Sequence, residues 1–420
     1  MRGLRAREPR AGEPSGASGP AGIGGGRLVL GAALLLASFN LRPAVTSLGP
    51  VLPEVMRSTG MAVAVASVLT TLPALCFGLF APFAPPLARR FGMERTVLGA
   101  MLLLSAGTLL RWAETSWALF AGAVLAGAAI GVINALLPAL VKRDFPDRVA
   151  LMTGLYSMVL SAGAALAAGA SAPLTLRLGS WGAALAVWAA PALLAAIALV
   201  PALPARSRPA AHRPLPGLWR NGLAWQVTLL MGFQSATTYC AFGWLAPILR
   251  DRGMDAVAAG LVLSLSVLVQ VGSTLGGAPF AALWRDQRAP AILSLGIGLA
   301  GFLGCLLAPL PWVWCAAVVM GVGQGAVFSI TLSVIVLRSP DPATAAQLSG
   351  MAQAVGYLLA SLGQLLLGLT HQWTGDWRAA GPLLVAYTAA GMAGAAGAGR
   401  KLLVRPAAGP VATAGFAPTR

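Results

Sequence analysis

Asn40-Leu41-Arg42-Pro43-Ala44-Val45-Thr46-Ser47-Leu48-Gly49-Pro50-Val51-Leu52-Pro53-Glu54 places one arginine and a helix-breaking proline inside the first apolar segment of the chain. The apolar run starts near Leu28. Arg42 therefore lies about 14 residues in, roughly 21 Å at helical rise, somewhat past the midplane of a bilayer. Centring an arginine in a spanning helix costs about 2.5–3.5 kcal/mol on insertion scales. A chain that keeps a charge there has a use for it, and an anion is its natural partner. Pro43 has no N–H, so a carbonyl one turn earlier, near Phe39, is left without a donor. Broken backbone at that depth is tolerated where it lines a cavity. Arg42 is the only Lys or Arg that the sequence puts well inside an apolar span.

The rest of the chain has the same character. Only 10% of its 420 residues are charged and 57% are hydrophobic, against about 25% charged in soluble domains. Apolar stretches of spanning length recur from end to end, which defines an all-α, polytopic membrane protein. The spans read roughly 28–52, 62–86, 96–112, 116–141, 150–175, 181–203, 222–249, 257–282, 290–309, 311–337, 344–370 and 380–403. These twelve form an N-terminal six-helix bundle over 28–203 and a C-terminal one over 222–403. A basic, proline-containing connector, 204–221, joins them. Residues 1–27 are rich in Arg, Gly and Pro with no apolar core, so they read as a disordered cytoplasmic tail and not a signal peptide. Residues 404–420 read as a second tail.

The net charge of +17 invites a nucleic-acid reading. Its distribution argues otherwise, because the basic residues fall in short clusters between apolar spans. With the N-terminus inside, cytoplasmic segments hold 22 of the 29 Lys and Arg. The outer loops hold Arg57, Arg111, Arg177, Arg250, Arg252 and Arg378. That bias predicts both termini on the cytoplasmic side, and 27 Arg against 2 Lys with heavy Ala and Gly use reads as a GC-rich bacterial genome, hence an inner membrane. The four cysteines lie in apolar segments and read as small buried hydrophobes.

Two loops repeat. Pro53-Glu54-Val55-Met56-Arg57-Ser58-Thr59-Gly60-Met61 follows span 1, and Pro247-Ile248-Leu249-Arg250-Asp251-Arg252-Gly253-Met254 follows span 7. Lys142-Arg143-Asp144-Phe145-Pro146 and Arg338-Ser339-Pro340-Asp341-Pro342 follow spans 4 and 10. The near-equal offsets point to a duplicated six-helix unit. Parallel repeats about a membrane-normal axis, with the substrate near the midplane, are the layout of major facilitator carriers.

The loop Gly78-Leu79-Phe80-Ala81-Pro82-Phe83-Ala84-Pro85-Pro86-Leu87-Ala88-Arg89-Arg90-Phe91-Gly92-Met93-Glu94-Arg95 resembles the cytoplasmic signature of that superfamily. Arg90, Gly92 and Arg95 fit its pattern, while Arg89 replaces the usual Asp. The resemblance implies a conformational role for Arg90, Gly92 and Arg95, and Pro43 joins them as a gating residue. The stretch 40–54 resembles the first helix of the cyanate and 2-nitroimidazole permease branch. What that resemblance implies is a secondary or facilitative transporter of a small anionic or polar planar compound.

Candidate substrate-binding residues are Arg42, Asn40, Gln234, Tyr239, Gln324, Gln353, Tyr357 and Asn134. The planar guanidinium of Arg42 can hold a carboxylate or nitro group bidentately. Asn40 is two residues away and points to another side of the helix unless the proline distorts it. The others are polar residues in spans that usually face the cavity of this fold, and by repeat symmetry Gln234 sits close to the span-7 counterpart of Asn40. Gln353 and Tyr357 share a helix face. Trp244 offers a stacking surface, and Gln270 is a further polar residue of span 8. Interhelical hydrogen bonding is the rival role for each.

Span interiors hold no Asp or Glu. Glu54, near the outer rim, is the coupling candidate, with a proton as candidate co-substrate. Glycine runs such as 127–131 and 321–325 lie inside apolar spans and suit helix packing. Neither Lys follows a Gly, so there is no Walker-type loop. No His, Cys, Asp or Glu cluster has metal spacing, and no nucleophile–base pair stands out. The expectation is a monomer in the bilayer with no cofactor, no metal and no nucleic-acid partner. A proton-coupled multidrug antiporter is the rival within transporters. A membrane-embedded enzyme or a non-transporting sensor is the rival outside them.

Overall fold

The computed structural model describes residues 25–202 and 217–404. Both expected tails, apart from a few residues, and most of the connector lie outside the described residues. All regular structure among the described residues is helical.

Helix one is broken into α1 (Gly25–Phe39), α2 (Pro43–Thr46) and α3 (Leu48–Thr59). Then follow α4 (Val63–Phe80), α5 (Ala84–Phe91), α6 (Met93–Leu109), α7 (Ser116–Asp144) and α8 (Val149–Leu178). Span 6 is divided into α9 (Trp181–Ala186) and α10 (Ala189–Leu199). The second half comprises α11 (Gly222–Asp251), α12 (Ala256–Ala282), α13 (Arg288–Leu307), α14 (Val313–Leu337), α15 (Pro342–Thr374) and α16 (Ala380–Ala398).

Eleven segments among the described residues are long and apolar enough to cross a membrane. α11, counted as the seventh span from sequence, is not one of them. Its 30 residues reach about 45 Å, so length is not the reason. Gln226, Thr228, Gln234, Ser235, Thr237, Thr238 and Tyr239 make it more polar than its neighbours.

The packing repeats. In the first half α1 lies on α8 and α10, α7 on α4 and α6, and α6 on α10. In the second half α11 lies on α15 and α16, α14 on α12 and α13, and α13 on α16. Each pair in one half has its counterpart in the other. Across the halves α4 packs on α15 and α8 on α12, while α3 meets α11. These contacts interchange under a two-fold rotation between spans 1 and 7.

The charged helix ends follow the same repeat. Arg143, at the end of α7, reaches back to buried Glu94 at the start of α6. Arg338, just past α14, reaches Gln287 at 2.5 Å just before α13, and the carbonyls of Ala398 and Gly399 at 2.8 and 2.9 Å.

α8 and α12 are buried against each other toward the end of the bundle that carries Glu54. Ala164, Ala167 and Ala168 of α8 and Ala259, Val262 and Leu263 of α12 are all buried there. Toward the other end the burial ceases: no residue from 153 to 162 or from 268 to 276 is buried. Along this α8–α12 seam the halves are closed at the Glu54 end and open at the opposite one.

Candidate functional site

The site begins with the break in helix one. Pro43 cannot donate to the carbonyl one turn back, and the chain leaves helical geometry over Asn40, Leu41 and Arg42. Tighter bonds replace the helical ladder: the Asn40 N–H donates to Ala37 O (3.1 Å) and the Leu41 N–H to Ser38 O (3.2 Å). Helix resumes when the Val45 and Thr46 N–H groups donate to Arg42 O at 2.9 and 3.0 Å. The Thr46 hydroxyl ties the restart to α8 by donating to Ala164 O at 3.0 Å. Gly163 of α8 sits directly against the Phe39 carbonyl, where an added Cβ would overlap the oxygen.

This break presents Arg42 to the second half. Its Nη1 donates to the Tyr239 hydroxyl of α11. The guanidinium carbon lies 5.3 Å from the centre of the Tyr239 ring and 5.9 Å from that of Phe242, within cation–π range. Tyr239 in turn meets Phe77 of α4, Phe242 and Tyr357 of α15 edge to face, with centroids 6.1, 5.6 and 6.0 Å apart. Phe77 and Tyr357 close the ring of contacts at 5.6 Å. Tyr357 also lies near Arg42, and Tyr156 of α8 near Tyr357. The chain has four tyrosines, and three of them gather here. Among the described residues no carboxylate pairs with Arg42.

The structure thus brings together Arg42, Tyr239 and Tyr357 from the sequence-derived set. Gln353 lies one turn from Tyr357 and donates to Ser349 Oγ at 2.9 Å. Asn134 is half-buried on α7. Three others are turned to neighbours. Asn40 donates to Leu36 O and to Pro191 O of α10, at 2.7 and 3.1 Å, while its side-chain oxygen has no partner. Gln234 donates to Ser235 Oγ at 2.8 Å. Gln324 accepts from Gln270 at 3.2 Å, and its own amide nitrogen is buried without a partner. Trp244 is buried against Trp377 with its N–H on Gln364 O, away from the aromatic ring of contacts.

Glu54 joins the halves at the closed end. It accepts from Arg250 of α11 at 2.5 Å and from Arg57 at 3.1 Å. Arg250 also donates to Pro50 O at 3.3 Å. In the signature loop, Gly92 ends α5 at φ +91°, Arg90 covers the Phe91 ring, and Arg95 is exposed.

Several residues escaped the sequence. Arg111, expected in an outer loop, is buried and donates to Ala44 O at 2.8 Å. Arg111 thus braces the restart of helix one, and Arg338 is buried as well. Glu94 is buried although it lies in a loop motif. Phe77, Phe242 and Tyr156 carry no pattern that separates them from lipid-facing or core aromatics.

A discontinuous first helix, an arginine there with no carboxylate partner among the described residues, and two matched halves meeting at it define a membrane carrier. The model of the Major Facilitator Superfamily matches residues 29–364, and the chain belongs to that family. It is 38% identical to the 2-nitroimidazole transporter of Escherichia coli (strain K12) over 365 residues, 84% of this chain and 91% of the relative. It is 31% identical to the cyanate transport protein CynX of the same organism over 350 residues, 82% and 90% of the two chains. Among solved structures, a D-xylose–proton symporter superposes with TM-score 0.72 at 13% identity, covering 90% of this chain and 98% of the other. The protein is a multi-pass membrane transporter of a small molecule, not an enzyme.

Proposed function

We propose that the chain moves a small anionic or polar planar compound, of the cyanate, nitro-aromatic or carboxylate kind, across the bacterial inner membrane by alternating access. One observation carries this reading. Arg42 is a cation with no carboxylate partner among the described residues, walled by aromatic rings where the two halves meet. A guanidinium suits a planar anionic group, and the rings suit a flat body. The names of the two bacterial relatives, a 2-nitroimidazole transporter and a cyanate transport protein, support the same chemistry.

The two six-helix halves, 28–203 and 222–403, act as rocking bodies about this site, linked by the connector 204–221. The positive charge bias puts both termini in the cytoplasm. The Glu54 end is then the outer one, and the state described opens inward. Glu54 is the proton-coupling candidate, because its carboxylate joins the halves in this state and is freed when the outer end parts. The carrier works as a monomer.

The test is uptake of cyanate, 2-nitroimidazole and benzoate into proteoliposomes by wild type and Arg42→Gln. Losing a charged hydrogen bond predicts a KM about ten- to a hundred-fold higher in the variant. Unchanged uptake of whichever compound the wild type carries would remove Arg42 from the site.

A further inference from the structure

We propose that the Tyr239 hydroxyl occupies the place on Arg42 that the substrate's anionic end takes, so that the empty carrier holds a displaceable occupant of its own. The inference rests on Arg42 being the anion site.

A guanidinium in an apolar surround needs its N–H groups met. No carboxylate does this for Arg42 among the described residues. The Tyr239 hydroxyl oxygen does, by accepting from Nη1. The same ring lies under the cation at 5.3 Å. Tyr239 is 2% exposed and held edge to face by Phe77, Phe242 and Tyr357. It is therefore a fixed neighbour of Arg42 and not a passing contact.

An anion entering from the open end meets Tyr156 and Tyr357 and then a guanidinium with one terminal N–H already in use. A carboxylate or comparable anion adds its full charge and can meet the guanidinium fork with two oxygens, where the neutral phenol accepts one bond. The exchange breaks the Arg42–Tyr239 bond and forms an Arg42–anion bond, and no proton changes hands. The broken bond is one that ties α11 to helix one across the halves. Loading the site thus loosens a link between the two bodies, with no carboxylate needed in the core.

The sign of one substitution separates this role from that of an ordinary ligand. If the hydroxyl only contacted the substrate, Tyr239→Phe would weaken binding. If it competes for Arg42, removing it strengthens binding, because the phenyl ring still covers the cation. The experiment measures Kd for benzoate, cyanate and 2-nitroimidazole on purified full-length protein in nanodiscs. Wild type, Tyr239→Phe, Tyr357→Phe and Arg42→Gln are compared, each with thermal unfolding as a check on folding.

The expected result is a Kd about ten-fold or more lower in Tyr239→Phe, the lower end for one hydrogen bond to a charged group. Tyr357→Phe shows no such gain, and Arg42→Gln loses binding. Binding seen in Tyr239→Phe but not in wild type is the same result in extreme form. Equal or weaker binding by a folded Tyr239→Phe, with Arg42→Gln still defective, overturns the inference and leaves the anion site standing. A Tyr239→Phe chain that does not fold also overturns it, since a mere occupant is dispensable to the fold. No saturable binding to either protein, or full binding by Arg42→Gln, overturns both readings.

Discussion

Arg42 shows how far a single residue can be read. A charge in an apolar run announces itself, because the bilayer penalises it, and Pro43 beside it announces broken backbone. The sequence could not show what surrounds the charge. Phe77, Phe242 and Tyr156 are aromatic residues in apolar spans, and nothing local distinguishes a cavity wall from a lipid-facing ring. Arg111 was misplaced for a related reason: it stands at the end of a span, where a long side chain can run outward to water or inward to a carbonyl. Its partner, Ala44 O, is 67 residues away in sequence. The planar fork of Arg42 also makes a specific demand. In Arg42→Lys the charge remains but the fork and the flat face over Tyr239 are gone. Transport assays should give a KM about ten-fold above wild type for a planar anion. A Lys variant with wild-type KM would show that charge alone suffices.

At the scale of the element, helix one owes its break to Pro43 and its stability to α8. The prolines were legible, whereas the docking of α8 onto the freed carbonyl was not, because it depends on a glycine among many in the apolar spans. Gly163→Ala forces a methyl against the Phe39 oxygen, and backbone cannot yield as a flexible side chain can. Such overpacking costs about 1–3 kcal/mol. Thermal unfolding in detergent should report a lowered Tm, and an unaltered Tm would show that α1 and α8 separate freely. The polar residues of α11 divide in a similar way. Tyr239 faces the cation, while Gln234, chosen from repeat symmetry as a match for Asn40, is satisfied by its own neighbour Ser235. Repeat symmetry located the right helix but could not say which side of it faces the site.

The whole molecule was the most legible scale. The all-helical fold follows from hydropathy and loop charge, the duplicated unit from two repeated loops, and the family from the resemblance carried by residues 40–54 and 78–95. The structure adds matched helix pairs and a repeated arginine contact, charged in one half (Arg143 with Glu94) and neutral in the other (Arg338 with Gln287). The closed end depends on the Glu54–Arg250 pair, one-quarter and 16% exposed at the side chains. A pair so placed is worth about 0.2–1 kcal/mol. Glu54→Gln should therefore favour opening of that end by about one and a half- to five-fold. Ser47→Cys supplies the reporter, since Ser47 is buried and its hydroxyl has no partner. Labelling of that cysteine by an impermeant maleimide should quicken by this factor in Glu54→Gln. An unchanged rate would mean that apolar packing of α3 on α11 closes the end unaided.

α11 has one more consequence, and it concerns biogenesis. A nascent chain offers its segments to the insertion machinery in order, and each partitions by its own affinity for lipid. α11, made polar by Gln226, Thr228, Gln234, Ser235, Thr237, Thr238 and Tyr239, has the least claim on the bilayer among the described spans. α12 follows it closely and is strongly apolar, with a mean hydropathy of 1.9 in its best window. By the time α11 emerges, the half that bears Arg42 has already been synthesised. Tyr239, one of the residues that make α11 a poor guest in lipid, bonds Arg42 of that half, so the first half serves as the landing site for the seventh span.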